Sequence, residues 1–269
     1  MADSIESFVA KLQEEGINAG RTEASGLVEQ AKTEAAKIVA DRKLLVWDSP
    51  KGLPALLTKA KIPHKRIEDE KGLSLTGAAL VIVGPDRLTD KPFSQSKLFD
   101  HAQAGARVLI LAQRKVTRLG PLLVRRRRAP DRLAWRPGHP LARSLSLISP
   151  AAMGADVRAI EILPDAPVLE IGYWPREVAD RKDAPVSALV AVQATGAGRV
   201  IYCQMPLGPW ASDPRSQLFL ADALDYMVRP VERTPPPSRR PAPRRRPLGP
   251  NSRDALPSGA RAVSTGETP

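Results

Sequence analysis

Two apolar runs separated by a helix-length segment constrain the fold of this chain most. The runs are Ala79–Gly84 and Arg107–Ala112, and residues 94–104 lie between them. Continuous Val, Ile and Leu without polar alternation is typical of strands that are buried on both faces of a sheet. Gly105 suits the left-handed turn that ends a helix and returns the chain to the sheet. The stretch therefore predicts a β-α-β unit with two parallel strands and a right-handed crossover.

Further elements extend this unit in both directions. Residues 43–48 predict a first strand, a short helix follows to about Ala60, and residues 64–68 predict a charged edge strand. The later runs at 157–163, 168–174 and 187–195 alternate more, as antiparallel or mixed strands do, and 198–204 predicts a buried strand after a glycine-rich hairpin turn. Asp213 and Pro214 are the residue types expected at the start of a last helix. We interpret the chain as an α/β protein with a partly parallel, doubly wound sheet.

Charge and proline are unevenly distributed along the chain. Ten of the 27 prolines fall in residues 229–269, and this segment carries nine basic and three acidic residues of a chain whose net charge is +12. Such a segment buries too little apolar surface to offset the entropy of ordering it, so we predict a disordered Pro/Arg-rich tail. The run of four arginines at 125–128 is predicted to be a solvated loop within an irregular stretch, 114–156. These basic runs lack interleaved aromatic residues, so we expect only nonspecific polyanion binding by the tail.

The first 43 residues predict an amphipathic helix with an internal repeat. Thr22–Ala24 recurs as Thr33–Ala35, and an apolar position recurs at Ile17, Val28 and Val39. A period of 11 residues predicts a right-handed supercoil and an element that binds a protein partner or a second copy of the chain. Residues 4–41, through the pattern at 28–39, resemble the N-terminal helix of the E-type peripheral-stalk protein of V/A-type rotary ATPases. The alternative is a generic amphipathic leader that packs on the domain. The expected organisation is helix 1–43, α/β domain 44–228 and tail 229–269.

The cysteine count and the hydropathy limit the cellular context. With Cys203 as the single cysteine, neither an intrachain disulfide nor a CxxC metal motif is available. No apolar run reaches 18 residues, and the acidic first residues do not form a secretory signal. We therefore expect a cytoplasmic protein without membrane insertion.

Candidate functional residues follow from the rule that ligands bind at the carboxyl ends of strands in such sheets. Asp48 ends the first predicted strand, Asp86 and Arg87 follow the apolar run Ala79–Gly84, and His139 lies in a rigid Gly-His-Pro turn. These four residues define a candidate ligand crevice in which paired carboxylates suit acid/base chemistry. Their alternative roles are structural: carboxylates cap the following turn or helix, and the histidine bonds to backbone.

A catalytic site is not predicted. Cys203 lies inside a strand run, where a thiol is a small buried hydrophobe and not a nucleophile. The three histidines show no metal-ligand spacing, and the glycine-rich turn at 196–198 precedes a strand, so we predict neither a metal nor a cofactor site.

Residues 44–228 resemble a known module. Gly138–Leu141, the strand Gly198–Leu207 and the helix that begins at Asp213 resemble the glutamine-amidotransferase-like, flavodoxin-like domain, in particular the version akin to the trimerisation domain of β-galactosidase-like glycoside hydrolases. The resemblance implies a non-catalytic accessory or assembly module that acts through protein contacts beside a catalytic barrel, and this chain lacks that barrel. Two alternatives remain: a peripheral-stalk protein of the V/A-type ATPase kind, and a carbohydrate-active hydrolase with an unrecognised site.

Overall fold

The structure is a computed structural model that describes residues 22–23, 25–30, 33, 36–37, 42–73, 80–90, 95–146, 153, 156–175, 185–207 and 213–230. All of them belong to Met1–Thr234, the first of the two units into which the chain divides. The first 21 residues of the predicted N-terminal helix and the predicted tail from Val231 onward lie outside the described residues. The described positions between 22 and 37 are helical.

The described elements form a mixed, partly parallel sheet with few helices. Its eleven strands are β1 (Leu44–Trp47), β2 (Lys65–Ile67), β3 (Leu80–Val83), β4 (Arg107–Ile110), β5 (Arg118–Leu119), β6 (Leu122–Arg128), β7 (Ala134–Trp135), β8 (Asp156–Ile162), β9 (Val168–Tyr173), β10 (Val186–Thr195) and β11 (Gly198–Cys203). The helices are α1 (Leu53–Lys59), α2 (Ser96–Gln103), α3 (Pro140–Leu145) and α4 (Pro214–Val228), and a 3-10 turn spans Glu70–Gly72.

One half of the sheet is parallel. Its strands lie in the order β2-β1-β3-β4-β11, and each neighbouring pair in this order is parallel. The predicted β-α-β unit is confirmed, because β3 and β4 pair in parallel with α2 between them in sequence. Gly105 has a φ of +116° at the end of α2, which is the left-handed conformation expected there. The charged strand β2 lies at the edge, as predicted.

The other half is antiparallel and continues from β11 through β10, β8, β6 and β5, while β9 pairs with β10 and β7 pairs with β9. The predicted strands after residue 156 are confirmed within one or two residues at their ends. The prediction of an irregular stretch at 114–156 was wrong. Arg125–Arg128 are the second half of β6 and pair with β8, so they form a strand and not a solvated loop.

Alternating side chains of the parallel strands fill two cores. The first core takes residues such as Val46, Ile82 and Ile201 and is covered by apolar residues of α1, α3 and α4. The second core takes residues such as Val81, Ile110 and Tyr202 and is covered by Leu98 and Ala102 of α2. The sheet is therefore buried on both faces, which explains the uninterrupted apolar runs of its strands.

The last helix begins and ends as its sequence predicts. The Asp213 carboxylate accepts the Arg215 backbone N–H at 3.0 Å, and Pro214 is the first helical residue. The helix ends at Val228, before Arg229 and Pro230. A capped start fixes where the apolar face of α4 meets the first core.

Gly198 is required where the β10–β11 hairpin passes the end of α2. A Cβ atom at this position would lie 2.1 Å from the Ala106 carbonyl oxygen and 2.3 Å from the Ala102 carbonyl oxygen. Both atoms belong to backbone, so neither can rotate away. We expect Gly198→Ala to lower the free energy of unfolding by roughly 1–3 kcal/mol, the usual cost of overpacking.

Urea unfolding followed by circular dichroism measures this change. Gly26→Ala is the control, because Gly26 is helical and exposed and a Cβ there meets nothing within 4 Å. That substitution should stabilise the protein by up to about 1 kcal/mol. Equal effects of the two substitutions would contradict the close approach at Gly198.

Candidate functional site

Asp48 is a buried structural carboxylate at the carboxyl end of β1. Its Oδ1 accepts the Ser49 backbone N–H at 2.7 Å, and its Oδ2 accepts the Leu53 backbone N–H at 2.9 Å. The Leu53 N–H lies in the first turn of α1, where backbone N–H groups have no partner within the helix and a negative charge is favourable. Arg87 adds an ion pair, with its Nε 3.3 Å from Oδ1. Asp48 therefore connects the loops after β1 and β3.

Asp86 forms a second acid–arginine pair one loop further along the sheet edge. The Arg114 backbone N–H donates to Asp86 Oδ1 at 2.7 Å, and the Arg114 Nε donates to Oδ2 at 2.8 Å. The Asp86 backbone has a φ of +56° and donates its N–H to the Ala112 carbonyl at 3.0 Å. Burial raises the pKa of Asp86, but the bonds and the charge of Arg114 outweigh it and hold the pKa below its ordinary value.

Two glutamines join the same edge from beneath. The Gln113 Nε2 donates to the Gly84 carbonyl at 2.8 Å, and its Oε1 accepts the Leu88 backbone N–H at 2.9 Å. The Gln113 backbone N–H donates to the Oε1 of Gln204, which directly follows β11, at 3.0 Å. Both glutamines are buried. The carboxyl ends of β3, β4 and β11 are thus held together by side-chain amides.

His139 does not belong to this edge. Its Nδ1 accepts the Leu141 backbone N–H at 3.2 Å and so caps α3, and its ring packs edge-on against Tyr226 with centroids 4.8 Å apart. The guanidinium of Arg199 lies 4.3 Å from the centre of the same Tyr226 ring. Arg199 pairs with Arg107 at the beginning of β4, so this group marks the amino ends of the parallel strands.

The predicted crevice of four residues is therefore divided. Asp48 and Arg87 are in contact, and Asp86 follows the next strand along the same edge, whereas His139 lies at the amino-terminal edge. The convergence of Asp48, Asp86 and His139 that the hydrolase alternative needs is not found. Asp48 and His139 instead bond to the first backbone N–H groups of α1 and α3, which is the structural alternative to a catalytic role.

Cys203 has the environment predicted for it. The thiol is fully buried in β11, and burial raises its pKa to about 12. A thiol that stays protonated and inaccessible to solvent cannot attack a substrate.

A cleft at the carboxyl edge contains the residues that sequence reasoning missed. We name this cavity of about 380 Å³ the arginine cleft, and its lining includes Arg114, Arg126, Asp156, Arg158 and Gln204. Arg126 pairs with Asp156 and lies opposite Arg158 in the β6–β8 register. Arg126 was missed because the arginine run was assigned to a loop. The available signal was the pair of polar residues 113–114 directly after an apolar run, which marks the carboxyl end of a strand.

A second cavity of about 470 Å³ lies beside α2 and the end of β10. Several of its polar side chains are bonded within the protein, while the buried Thr195 Oγ1 has no partner among the described residues. Asp90 accepts the Thr117 backbone N–H at 2.8 Å, and the Gln95 Oε1 accepts the Gly120 N–H at 3.0 Å. These contacts hold the loop between β4 and β6, so we assign this cavity a structural role.

Neither a metal cluster nor a membrane span is found among the described residues. No three His, Cys, Asp or Glu side chains among them are grouped so that they can hold a metal ion. Within the same part of the chain, no helix has both the length and the apolar character needed to cross a membrane.

Known proteins give limited likeness to this chain. No protein-family model matches the sequence, and no curated protein matches it. Among solved structures, a β-galactosidase from Rahnella sp. R3 has a TM-score of 0.39 at 15% identity over 73% of this chain and 33% of its own. A β-galactosidase from Halorubrum lacusprofundi has a TM-score of 0.40 at 19% identity over 72% of this chain and 31% of its own. A ThuA-like protein from Bacteroides uniformis has a TM-score of 0.39 at 12% identity over 70% of this chain and 91% of its own.

The chain spans about a third of the length of these β-galactosidases. These structural neighbours include β-galactosidases, the class of protein to which the sequence resemblance pointed. The resemblance of residues 4–41 to a peripheral-stalk protein of rotary ATPases finds no support in these comparisons. At such low identity and TM-score, none of the similarities defines the activity of this chain.

His139 generates a prediction about pH. Burial, with the positive charges of Arg136, Arg199 and Arg229, lowers the pKa of His139 from 6.5 to about 4. Between these values the unfolded chain binds a proton that the folded chain does not, so stability is complete above pH 6.5 and decreases as pH falls toward 4. With solvent screening, we expect the decrease to be about 1–2 kcal/mol.

His139→Asn keeps a capping acceptor and removes this titration. The variant should resemble the wild type at pH 7 and lose less stability at pH 4.5. Urea unfolding at the two pH values gives the comparison. Part of the slope should remain, because burial also lowers the pKa of His101. An unchanged slope in the variant would show that His139 is not buried as a neutral ring.

Proposed function

We propose that this chain is a non-catalytic accessory or assembly module that acts through protein contacts. The observation that carries the proposal is the state of the two carboxylates at the carboxyl edge. Asp48 and Asp86 each accept backbone N–H groups and each pair with an arginine. Their oxygens are used to hold loops together.

The predicted positions are unsuited to acid/base and nucleophilic catalysis. A general acid at neutral pH needs a raised pKa, whereas the pKa of Asp86 is lowered. The thiol of Cys203 is buried and protonated, so it is unsuited to covalent catalysis. Removal of either carboxylate should therefore affect stability and not turnover.

We further propose a flavodoxin-like module of the type associated with glycoside hydrolases for residues 44–228. The parallel order β2-β1-β3-β4-β11 supports this assignment, because flavodoxin-like sheets have the order 2-1-3-4-5. The likeness of Gly138–Leu141 and Gly198–Leu207 to the β-galactosidase accessory domain supports the hydrolase association. The flanking helix 1–43 and tail 229–269, and a cytoplasmic location, belong to the same proposal.

The N-terminal helical stretch is the proposed contact with a protein partner or a second copy. Ala36 is partly buried and packs against the first core, so this stretch lies on the domain there. About two helical turns before Ala36, Val28 is buried while Leu27 is 50% exposed. A single exposed leucine is common on protein surfaces, so the proposed docking role rests on the 11-residue apolar repeat of the helix, and Leu27 is the exposed residue that tests it. Nonspecific polyanion binding remains proposed for the tail alone, since three of the four arginines of β6 are paired within the sheet.

The first prediction from this proposal concerns turnover. The full chain should hydrolyse neither chromogenic galactosides nor glutamine above a buffer blank. Asp86→Asn and Cys203→Ala should leave any residual rate unchanged, because neither group reaches a reacting atom. Turnover that either substitution abolishes would overturn the non-catalytic assignment.

The second prediction concerns association. Leu27→Glu should weaken self-association of the full chain, or capture of its partner, by at least about tenfold, as burying a charge at an interface does. Sedimentation equilibrium measures self-association, and pull-down measures capture of the partner. Leu163→Glu is the matched control, because Leu163 is 62% exposed in a turn between β8 and β9. Equal effects of the two substitutions would remove the docking role of the helix.

A further inference from the structure

We propose that the arginine cleft binds a small molecule through one oxyanion group, a carboxylate or a phosphate. This site is separate from the protein contacts of the proposed function, and either can fail without the other. Three features carry the inference: a buried amide donor without a partner, an arginine without a counter-charge, and a cavity of suitable size.

The amide donor is the Nε2 of Gln204. Gln204 is 2% exposed, lines the cleft, and its Nε2 has no hydrogen-bond partner among the described residues. Its orientation is fixed, because its Oε1 must face the Gln113 backbone N–H that donates to it at 3.0 Å. Gln113 is itself held by bonds to the loops after β3 and β4. A buried donor left unpaired is unfavourable, so an acceptor in the cleft would satisfy it.

The unbalanced charge is that of Arg158. Arg126 and Arg158 lie opposite each other on neighbouring strands, so their side chains project from one face of the sheet. Arg126 is paired with Asp156, and Arg114 is paired with Asp86. Within the part of the chain that the structure describes, no carboxylate lies at ion-pair distance from Arg158. The cleft therefore keeps the unbalanced positive charge of Arg158. This charge is repelled by that of Arg126 on the neighbouring strand.

The cavity and the donor types define the ligand class. A volume of about 380 Å³ is within the range of small-molecule sites and exceeds the size of a single ion. Guanidinium groups match the planar carboxylate and the phosphate group with paired hydrogen bonds. The Gln204 amide adds a neutral donor to the lining of the cleft. One net charge suits one singly charged oxyanion group on a larger, otherwise neutral molecule.

Titration of the full chain with inorganic phosphate and, separately, with acetate tests the site. Thermal unfolding and the side-chain amide resonance of Gln204 are followed at constant ionic strength with chloride as reference. We expect a saturable rise in Tm and a shift of that resonance with at least one of the two anions. A response to phosphate alone assigns a phosphate group, and a response to acetate alone assigns a carboxylate.

Arg158→Gln should weaken the binding by about tenfold or more, since hydrogen bonds to charged groups are the stronger class. Arg125→Gln is the matched control. It removes the same charge from β6, but Arg125 pairs with Glu161 and projects from the other face of the sheet from Arg126. Affinity should stay within about twofold of the wild type in this control, because the lost charge is outside the cleft.

Two results would overturn the proposal. The first is an unchanged Gln204 resonance at saturating anion. The second is equal affinity of the wild type, Arg158→Gln and Arg125→Gln, which would assign anion binding to other basic residues. Loss of affinity with Arg158→Gln is informative only if the variant is folded, and its unfolding temperature without anions should equal or exceed that of the wild type, because a like-charge pair is removed.

Discussion

The pairing of β11 on both of its sides determines how this sheet is built. Among the described strands, it alone pairs in parallel with one neighbour, β4, and antiparallel with the other, β10. All of its residues are buried, with Ile201 and Cys203 in the first core and Tyr202 in the second. A slip of one residue would exchange the two faces and place the wrong side chains in both cores. The register of β11 therefore also fixes Gln204, the next residue, at the carboxyl edge.

The parallel half of the sheet could be predicted from sequence because its signals are local. A strand that is covered on both faces must be apolar where it is buried, and Leu80–Val83 and Val108–Leu111 meet that condition over four residues each. Gly105 and Asp213 mark helix boundaries through their own conformations or side chains. These signals need no knowledge of distant residues.

Strand β6 could not be predicted because its stabilisation comes from another strand. Its second half consists of four arginines, a composition that is typical of solvated loops. Glu161 on β8 accepts Arg125 at 2.9 Å on one oxygen and Arg127 at 2.6 Å on the other. Asp156 pairs with Arg126 on the opposite face. Cross-strand charge pairs of this kind override intrinsic strand preference, and the sequence does not show which acid faces which base.

The residues of the candidate site likewise separate into those that local sequence predicts and those that depend on contacts between distant strands. The positions of Asp48 and Asp86 followed from the rule that strand ends collect functional groups, and the capping role of Asp48 followed from its residue type. The contact between Gln113 and Gln204 joins residues that are 91 positions apart, so it appears only in the folded chain. The same holds for Arg126 and Arg158, whose opposition depends on the β6–β8 register.

Two arginines at opposite edges of the sheet show why partners, and not residue type, decide which edge can bind a ligand. Arg199 at the amino-terminal edge is buried, and it donates to the Tyr226 carbonyl at 3.0 Å while its guanidinium stacks on the Tyr226 ring. A cation there complements the carbonyl end of α4, so its charge is already used within the fold. Arg158 at the carboxyl edge has a second arginine opposite it and no described carboxylate in reach. The charge of Arg158 is therefore left to attract an anion at the carboxyl edge, where the side-chain amide of Gln204 also remains unpaired.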